Sequence, residues 1–432
     1  IFPAAYHVDW DDDGIRDLLV SPASILNSKN QNSVWAYRNV GTESFPTFEY
    51  VEEDFVQDGM IDVGQKSLPV FFDQNGDGLK DLLVSVHDQY DPSTGDQISR
   101  IAYYENVGTS TDPEFLLMDE DWQSLSTMDI GAGLSFYPTF GDLDNDGDED
   151  MILGEFEGWC HYFENTGGSG AAVFTSFETL QTSSGSDVYE GTTFAYPCLI
   201  DLDRDDDLDL VLGRRDGQLS YYENTGSIDS YSFEKASDGL GFVDVSLDWE
   251  IEGQAVPQFV DVDGTYYLIL GARNGYLHYY KNVEGNLTSP YLLADPDLQN
   301  IYHGTYSAPA IADIDGDGRF EMVIGNDRGG LVLYESADLS LIELDEYSLN
   351  SYFSIYPNPA QDKFMLDFGE LPSEELEQLA VRLFDLQGKL LIETTVTSTK
   401  MPLDVSDLAS GTYVVSVYGS YEGVTKKVVI HD

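Results

Sequence analysis

Nine residues, Asp142-Leu-Asp-Asn-Asp-Gly-Asp-Glu-Asp150, carry six carboxylates and stand directly before the apolar run Met-Ile-Leu-Gly. Like charges at this density repel, and such a segment stays solvated unless a cation compensates it. The spacing indicates which cation. Side chains at loop positions 1, 3 and 5 (Asp142, Asp144, Asp146) can converge on one centre, and Gly147 permits a sharp turn. The backbone carbonyl of Asp148 at position 7 adds an oxygen, and Asp150 at position 9 closes the shell. A shell of about six to eight hard oxygens is what calcium prefers.

The same nine-residue pattern recurs four times: Asp9, Asp11, Asp13, Ile15, Asp17; Asp73, Asn75, Asp77, Leu79, Asp81; Asp201, Asp203, Asp205, Asp207, Asp209; and Asp313, Asp315, Asp317, Arg319, Glu321. In all five copies the last residue of the following apolar run lies 12 positions after the first aspartate, so loop and strand travel as one unit. Five structural calcium sites are therefore expected. Ile15, Leu79, Asp148, Asp207 and Arg319 would contribute main-chain carbonyls. Asp206 replaces glycine at position 6 of the fourth loop, where a left-handed backbone is expected, and Asp tolerates that better than most residues. A shortened copy at Asp261 reaches Gly271 after only 10 positions and puts Thr265 and Ile269 at positions 5 and 9. A strand turn without metal is expected at Asp261 and Asp263.

The chain has 432 residues, with 20 basic and 79 acidic side chains and a formal charge of −59. Such a surface repels nucleic acid and anionic membranes, which makes both poor candidates as partners. Five calcium ions would bring −59 to −49. Hydrophobic residues at 42% and aromatics at 13% mark a folded protein rather than a disordered acidic one. No apolar run is long enough to span a membrane. The chain starts IFPAAY, so an export signal or further upstream sequence is expected to have been removed or left out. Cys160 and Cys198 stand in neighbouring repeats and can pair or remain buried thiols.

A second element alternates with the loops: VWAYRNVG (34–41), IAYYENVG (101–108), CHYFENTG (160–167), LSYYENTG (219–226), LHYYKNVE (277–284) and a truncated LVLYES (331–336). Aromatic and β-branched residues running into Asn-Gly describe a strand that enters a turn. The loops start at intervals of 64, 69, 59, 60 and 52 residues, which leaves room for about four strands each. An all-β repeat of this size suits the blades of a β-propeller, with six countable blades and seven possible. An open solenoid is the runner-up.

FGDLDNDGDEDMILG and YFENTG give residues 1 to about 340 a close resemblance to FG-GAP and VCBS-type repeats. The resemblance implies propeller blades whose calcium loops join their first two strands.

After Glu343 the repeat stops and the charge thins: residues 346–432 hold 13 acids and 6 bases, against 66 and 14 before them. The expected division is a propeller over 1–343, a linker over 344–350 and a small immunoglobulin-like β-sandwich over 351–432. YPNPA (356–360), LFDLQGK (383–389), LDVSDLASGTYVVSV (403–417) and TKKVVI (425–430) resemble the type A C-terminal sorting domain of the type IX secretion system. That resemblance implies export across the outer membrane of a Gram-negative bacterium of the Bacteroidota after passage through the periplasm. It also implies shuttle or translocon components as partners, and a location at the cell surface or in the medium.

An enzyme would need a nucleophile, a base or an open metal site. There are only six histidines, and His161 and His278 occupy the same strand position of two repeats, which reads as structural. The leading reading is a surface propeller that binds a glycan or protein without a catalytic residue, its loops stiffened by calcium. Two others stay open: a secreted carbohydrate-active enzyme using paired carboxylates on the propeller, and a structural subunit of an adhesion or gliding apparatus.

Overall fold

The computed structural model describes residues 4–21, 31–57, 59–90, 95, 97–130, 135–168, 170–191, 193–246, 252–262, 264–335, 354–368, 379–384, 389–406, 408–418 and 423–431. The expected linker 344–350 and Asp263 lie outside them. The chain divides into two compact units, Ile1–Leu339 and Ser340–Asp432.

The first unit is a β-propeller built of antiparallel sheets, whose strands follow one another in space as in sequence. Sheet 1 holds β1 (Ala4–Val8), β2 (Asp17–Ser21), β3 (Trp35–Asn39) and β4 (Phe48–Glu52). Sheet 2 holds β5 (Leu68–Phe72), β6 (Asp81–Tyr90), β7 (Gln97–Asn106) and β8 (Phe115–Asp119). Sheet 3 holds β9 (Phe136–Gly141), β10 (Asp150–Glu155), β11 (Cys160–Phe163) and β12 (Glu178–Thr179). Sheet 4 holds β13 (Ala195–Ile200), β14 (Asp209–Arg214), β15 (Leu219–Asn224) and β16 (Phe233–Ser237). Sheet 5 holds β17 (Val256–Val262), β18 (Thr265–Gly271), β19 (Leu277–Lys281) and β20 (Leu292–Asp295). Sheet 6 holds β21 (Ala308–Ala312), β22 (Glu321–Gly325) and β23 (Val332–Tyr334). Each predicted loop joins the first strand of a sheet to the second.

The second strands read as unbroken apolar runs because neighbouring sheets cover both of their faces. Every residue of β10 and β22 is buried. The glycine that ends these runs is required by close approach. A Cβ on Gly154, Gly213, Gly271 or Gly325 would collide with the carbonyl oxygen of Ala195, Ala255, Ser307 or Ser67, respectively. Sheet 3 thus abuts sheet 4, then 5, then 6, and Gly325 of sheet 6 meets Ser67 at the start of sheet 2. Between sheets 2 and 3, Phe72 and Phe140 stack at 4.0 Å.

All six units counted in the sequence form sheets, and five of them close a ring. The closure uses a segment the repeat does not advertise. Ile61–Val63 runs beside β23, with Asp62 bridged to Gly330 and the Leu331 N–H donating to the Ile61 carbonyl at 3.0 Å. Sheet 1 stands outside this ring beside sheet 2, where Gln31 and Asn32 share a cleft with Arg100 and Glu120. Its first strand is accordingly wet, with Tyr6 64% exposed.

The second unit is a β-sandwich. One sheet joins β24 (Ser354–Tyr356), β25 (Lys363–Asp367) and β28 (Lys400–Asp404). The other joins β26 (Ala380–Phe384), β27 (Leu390–Thr395), β29 (Gly411–Tyr418) and β30 (Gly423–Ile430). Phe364, Leu366, Val381, Leu383, Val415 and Val428 lie fully buried between them. The YPNPA motif is bolted to the last strand. Asn358 Nδ2 donates to the Lys427 carbonyl at 3.0 Å, and Asn358 Oδ1 accepts from the Val429 N–H at 2.9 Å. The Ala360 N–H donates to the Val429 carbonyl at 2.7 Å. Gly388 of LFDLQGK lies outside the described residues.

Candidate metal loops and the joint beneath them

A tight turn draws the carboxylates of each loop together. At position 1, Asp73 accepts the Gly76 N–H at 2.8 Å and the Gly78 N–H at 2.8 Å, and Asp313 accepts those of Gly316 and Gly318 at 2.8 and 3.0 Å. At position 5, Asp13, Asp77, Asp146, Asp205 and Asp317 each accept the N–H of position 7. Position 6 is left-handed throughout, with φ between 74° at Asp206 and 94° at Gly147. Oxygens of Asp9, Asp11 and Asp13 lie within 4.8 Å of one another, as do those of Asp142, Asp144 and Asp146 and those of Asp201, Asp203 and Asp205. In the second loop Asn75 stands at position 3 and its Nδ2 donates to Asp77 at 3.1 Å.

Several of these oxygens are buried with no hydrogen-bond donor among the described residues: Asp17 Oδ2, Asp142 Oδ1, Asp148 Oδ1, Asp203 Oδ1 and Asp207 Oδ1. An orphaned buried oxygen is costly, and a hard cation is the partner it would accept. Burial and neighbouring acids push Asp148 and Asp203 up, and Asp207 up to about 6. Asp148 and Asp207 occupy position 7, where only a main-chain carbonyl is expected from the pattern. Their side chains lie outside the two oxygen clusters of positions 1, 3 and 5, each with one buried oxygen that lacks a donor. The donor set fits calcium.

Position 9 lies deeper. Asp209 accepts the Asn224 N–H at 2.8 Å, the Leu202 N–H at 3.1 Å and the Tyr221 hydroxyl at 2.9 Å. Asp81 and Asp150 repeat the pattern with Asn106 and Tyr103 and with Asn165 and Tyr162. Burial raises Asp150 to about 6 and Asp209 to about 7. The same asparagines hold the turn behind the third strand. Asn224 Oδ1 accepts the Gly226 and Ser232 N–H groups, and its Nδ2 donates to the Leu208 carbonyl. The YENTG motif is therefore the other half of a joint that fastens the acidic loop to the third strand. Asp17 makes it with Asn39 through one oxygen at 2.7 Å. In sheet 6 the sequence lacks this Asn-Gly turn, and the longer Glu321 joins Asp313 and Asp315 within 4.8 Å.

The shortened loop holds a different cation. The Arg204 guanidinium, from position 4 of the neighbouring loop, donates to Asp261 at 3.0 Å, to Glu284 at 3.1 Å and to the Gly264 carbonyl at 3.3 Å. It also stacks 3.6 Å from the centre of the Tyr266 ring. Sequence reading does not find this residue.

The remaining candidates are structural in placement. His161 lies edge-on to Phe177, and burial lowers both His161 and His278 to about 4. Cys160 and Cys198 are buried free thiols.

Residues 354–431 match the family model of the secretion system C-terminal sorting domain. The match supports a cargo of the type IX secretion system and indicates export to the cell surface or the extracellular space. No helix among the described residues is long and apolar enough to cross a membrane. No curated protein matches the chain. Among solved structures it is similar to PorZ, a surface component of the type IX secretion system of Porphyromonas gingivalis, at 14% identity and a TM-score of 0.28, covering 97% of this chain and 51% of that one. The chain thus spans about half the length of PorZ. A Trypanosoma rangeli sialidase is similar at 9% identity and a TM-score of 0.34, covering 94% and 88%. The Dos1 propeller is similar at 9% identity and a TM-score of 0.28, covering 74% and 65%. At these values the likeness concerns the fold alone.

Proposed function

We propose that this is an exported, calcium-stabilised propeller of the FG-GAP/VCBS type that binds a glycan or a protein at the cell surface. The observation that carries the reading is the sorting-domain match at 354–431 on a chain whose other unit is a propeller. Export places the propeller among surface glycans and proteins, in a compartment where even weak calcium loops, with Kd on the order of 10⁻⁴ to 10⁻³ M, can fill. The orphaned oxygens of Asp142 and Asp203 support metal in those loops. Calcium supplies the counter-charge when bound, and the chain's own part is to hold positions 1, 3 and 5 in register through the turn hydrogen bonds and the Asp–Asn joint. The sorting domain engages the outer-membrane shuttle or translocon. Incubating the purified chain with a panel of polysaccharides and surface proteins tests the binding: retention without released sugar supports it, and released sugar would replace it with the enzyme reading.

A further inference from the structure

The five acidic loops are alike in shape and unlike in charge. Acids stand at positions 1, 3, 5, 7 and 9 of the third and fourth loops and at four of those positions in the first and fifth. The second loop has only three, because Asn75 takes position 3 and Leu79 position 7. Basic residues separate the loops further. Arg38 pairs with Asp11 of the first loop at 3.2 Å, and Arg319 stands at position 7 of the fifth. The arginine of the fourth loop, Arg204, is spent on Asp261 and Glu284.

The unmet oxygens follow the same order. Among the described residues, two buried carboxylate oxygens without a donor belong to the third loop (Asp142 Oδ1, Asp148 Oδ1) and two to the fourth (Asp203 Oδ1, Asp207 Oδ1). One belongs to the first, Asp17 Oδ2, and none to the second or fifth. In the second loop every carboxylate oxygen is already answered. Asp73 Oδ1 accepts the Gly76 and Asp77 N–H groups, and its Oδ2 accepts that of Gly78. Asp77 Oδ1 accepts the Leu79 N–H, and its Oδ2 accepts the Asn75 amide at 3.1 Å. Asp81 accepts the Asn106 and Gln74 N–H groups and the Tyr103 hydroxyl. Asn75 thus supplies inside the loop part of what an ion would supply. To ligate one, it must give up Asp77 and offer a neutral oxygen where the other loops offer a carboxylate.

We infer that the loops fill in order, the third and fourth at the lowest calcium concentration and the second at the highest, with Asn75 the residue that sets it last. The inference rests on the calcium reading and adds a regulation to it. Ligand charge and rigidity tune the affinity of calcium loops widely, and one buried oxygen relieved by the ion is worth about tenfold. The second loop also has a neighbour to act on. Gln74, at its position 2, accepts the Ala172 N–H through its carbonyl at 2.8 Å and donates from Nε2 to the Ala172 carbonyl at 3.0 Å. The last ion to bind therefore tightens the seam between sheets 2 and 3, and does so only where calcium is plentiful.

Hydrogen exchange of the whole chain, equilibrated in calcium buffers from about 10⁻⁷ to 10⁻² M, tests the order loop by loop. Residues 73–81 are expected to gain protection at a calcium concentration about tenfold or more above that for 142–150 and 201–209. Asn75→Asp restores the missing acid and should move the second loop to lower calcium by about tenfold, leaving the third and fourth where they are. Asn75→Ser, a neutral control, should not move it to lower calcium. One common midpoint for all loops, a second loop protected at the lowest calcium, or an Asn75→Asp chain with an unmoved second loop would each overturn the order while leaving calcium binding in place. Protection that is independent of calcium at every loop would remove the calcium reading itself and the order with it.

Discussion

Two adjacent loops at one end of the ring meet the same electrostatic problem in different ways. The loop Asp201–Asp209 gathers acids at positions 1, 3, 5, 7 and 9 and leaves buried oxygens of Asp203 and Asp207 without a donor. The shortened turn at Asp261 gathers fewer and is answered by its neighbour, with Arg204 of the Asp201–Asp209 loop clamped between Asp261 and Glu284. The shortened turn receives a cation that the chain itself supplies, whereas the orphaned oxygens of the full loop are those we propose calcium to fill. The need is therefore local to each loop rather than a consequence of the acidic chain as a whole.

The largest effect is expected beneath the metal. Asp209→Ala removes the acceptor of three donors, two backbone N–H groups and the Tyr221 hydroxyl, and should destabilise the propeller by on the order of 3 kcal/mol or more, read by chemical denaturation. A cost below about 1 kcal/mol would break the idea that loop and third strand are jointed there.

The ion-free state should also show an unusual pH dependence. Burial raises Asp150 to about 6 and Asp209 to about 7 in the fold, against an ordinary 3.8. Folding therefore favours their protonated forms. The stability they contribute is fully present below about pH 4 and is lost as pH rises through about 6 to 7. With chelator present, the propeller should melt higher at pH 5 than at pH 8. A higher melting point at pH 8 would contradict the assignment.

Arg204→Ala should cost less, about 1 kcal/mol or below, because its partners Asp261 and Glu284 are 41% and 36% exposed and solvent screens the pair. The loss should shrink in high salt, and a salt-independent loss would mark a packing role over Tyr266 instead. The smallest expected effect is none. Removing residues 340–432 should leave propeller melting and calcium binding unchanged while stopping export from a Bacteroidota host. Normal export of the truncated form would defeat the sorting assignment.

Much of this was legible in the sequence because it is written at fixed positions. The loops could be counted from Asp and Gly at constant spacing, the all-β class from apolar runs that turn at Asn-Gly, and the second unit from the fall in charge after Glu343. What stayed hidden depends on segments far apart in the chain. The YENTG asparagine reads as a turn residue until Asn224 is seen on Asp209, 15 residues away. Arg204 sits at a loop position that reads as solvent-facing in the sequence, and only the neighbouring sheet gives it its partners, as it gives Asn145 at the same position Asp229. Ring closure by Ile61–Val63 leaves no mark in the repeat intervals, so the sequence counts six sheets and does not separate the five of the ring from the one beside it. Lys66, Ser135, Phe194, Gln254 and Tyr306, left-handed three residues before the prolines of the ring's first strands, share no side-chain type, so their equivalence appears only in the backbone.

The central claim is that the full loops hold calcium where the shortened one holds the arginine of its neighbour. Elemental analysis of the purified chain, paired with thermal unfolding before and after chelation, tests it most directly. About five calcium ions per chain and a large fall in melting temperature on chelation, restored by added calcium, are the predicted result. A chain without bound metal whose melting curve is unmoved by excess chelator would contradict the account.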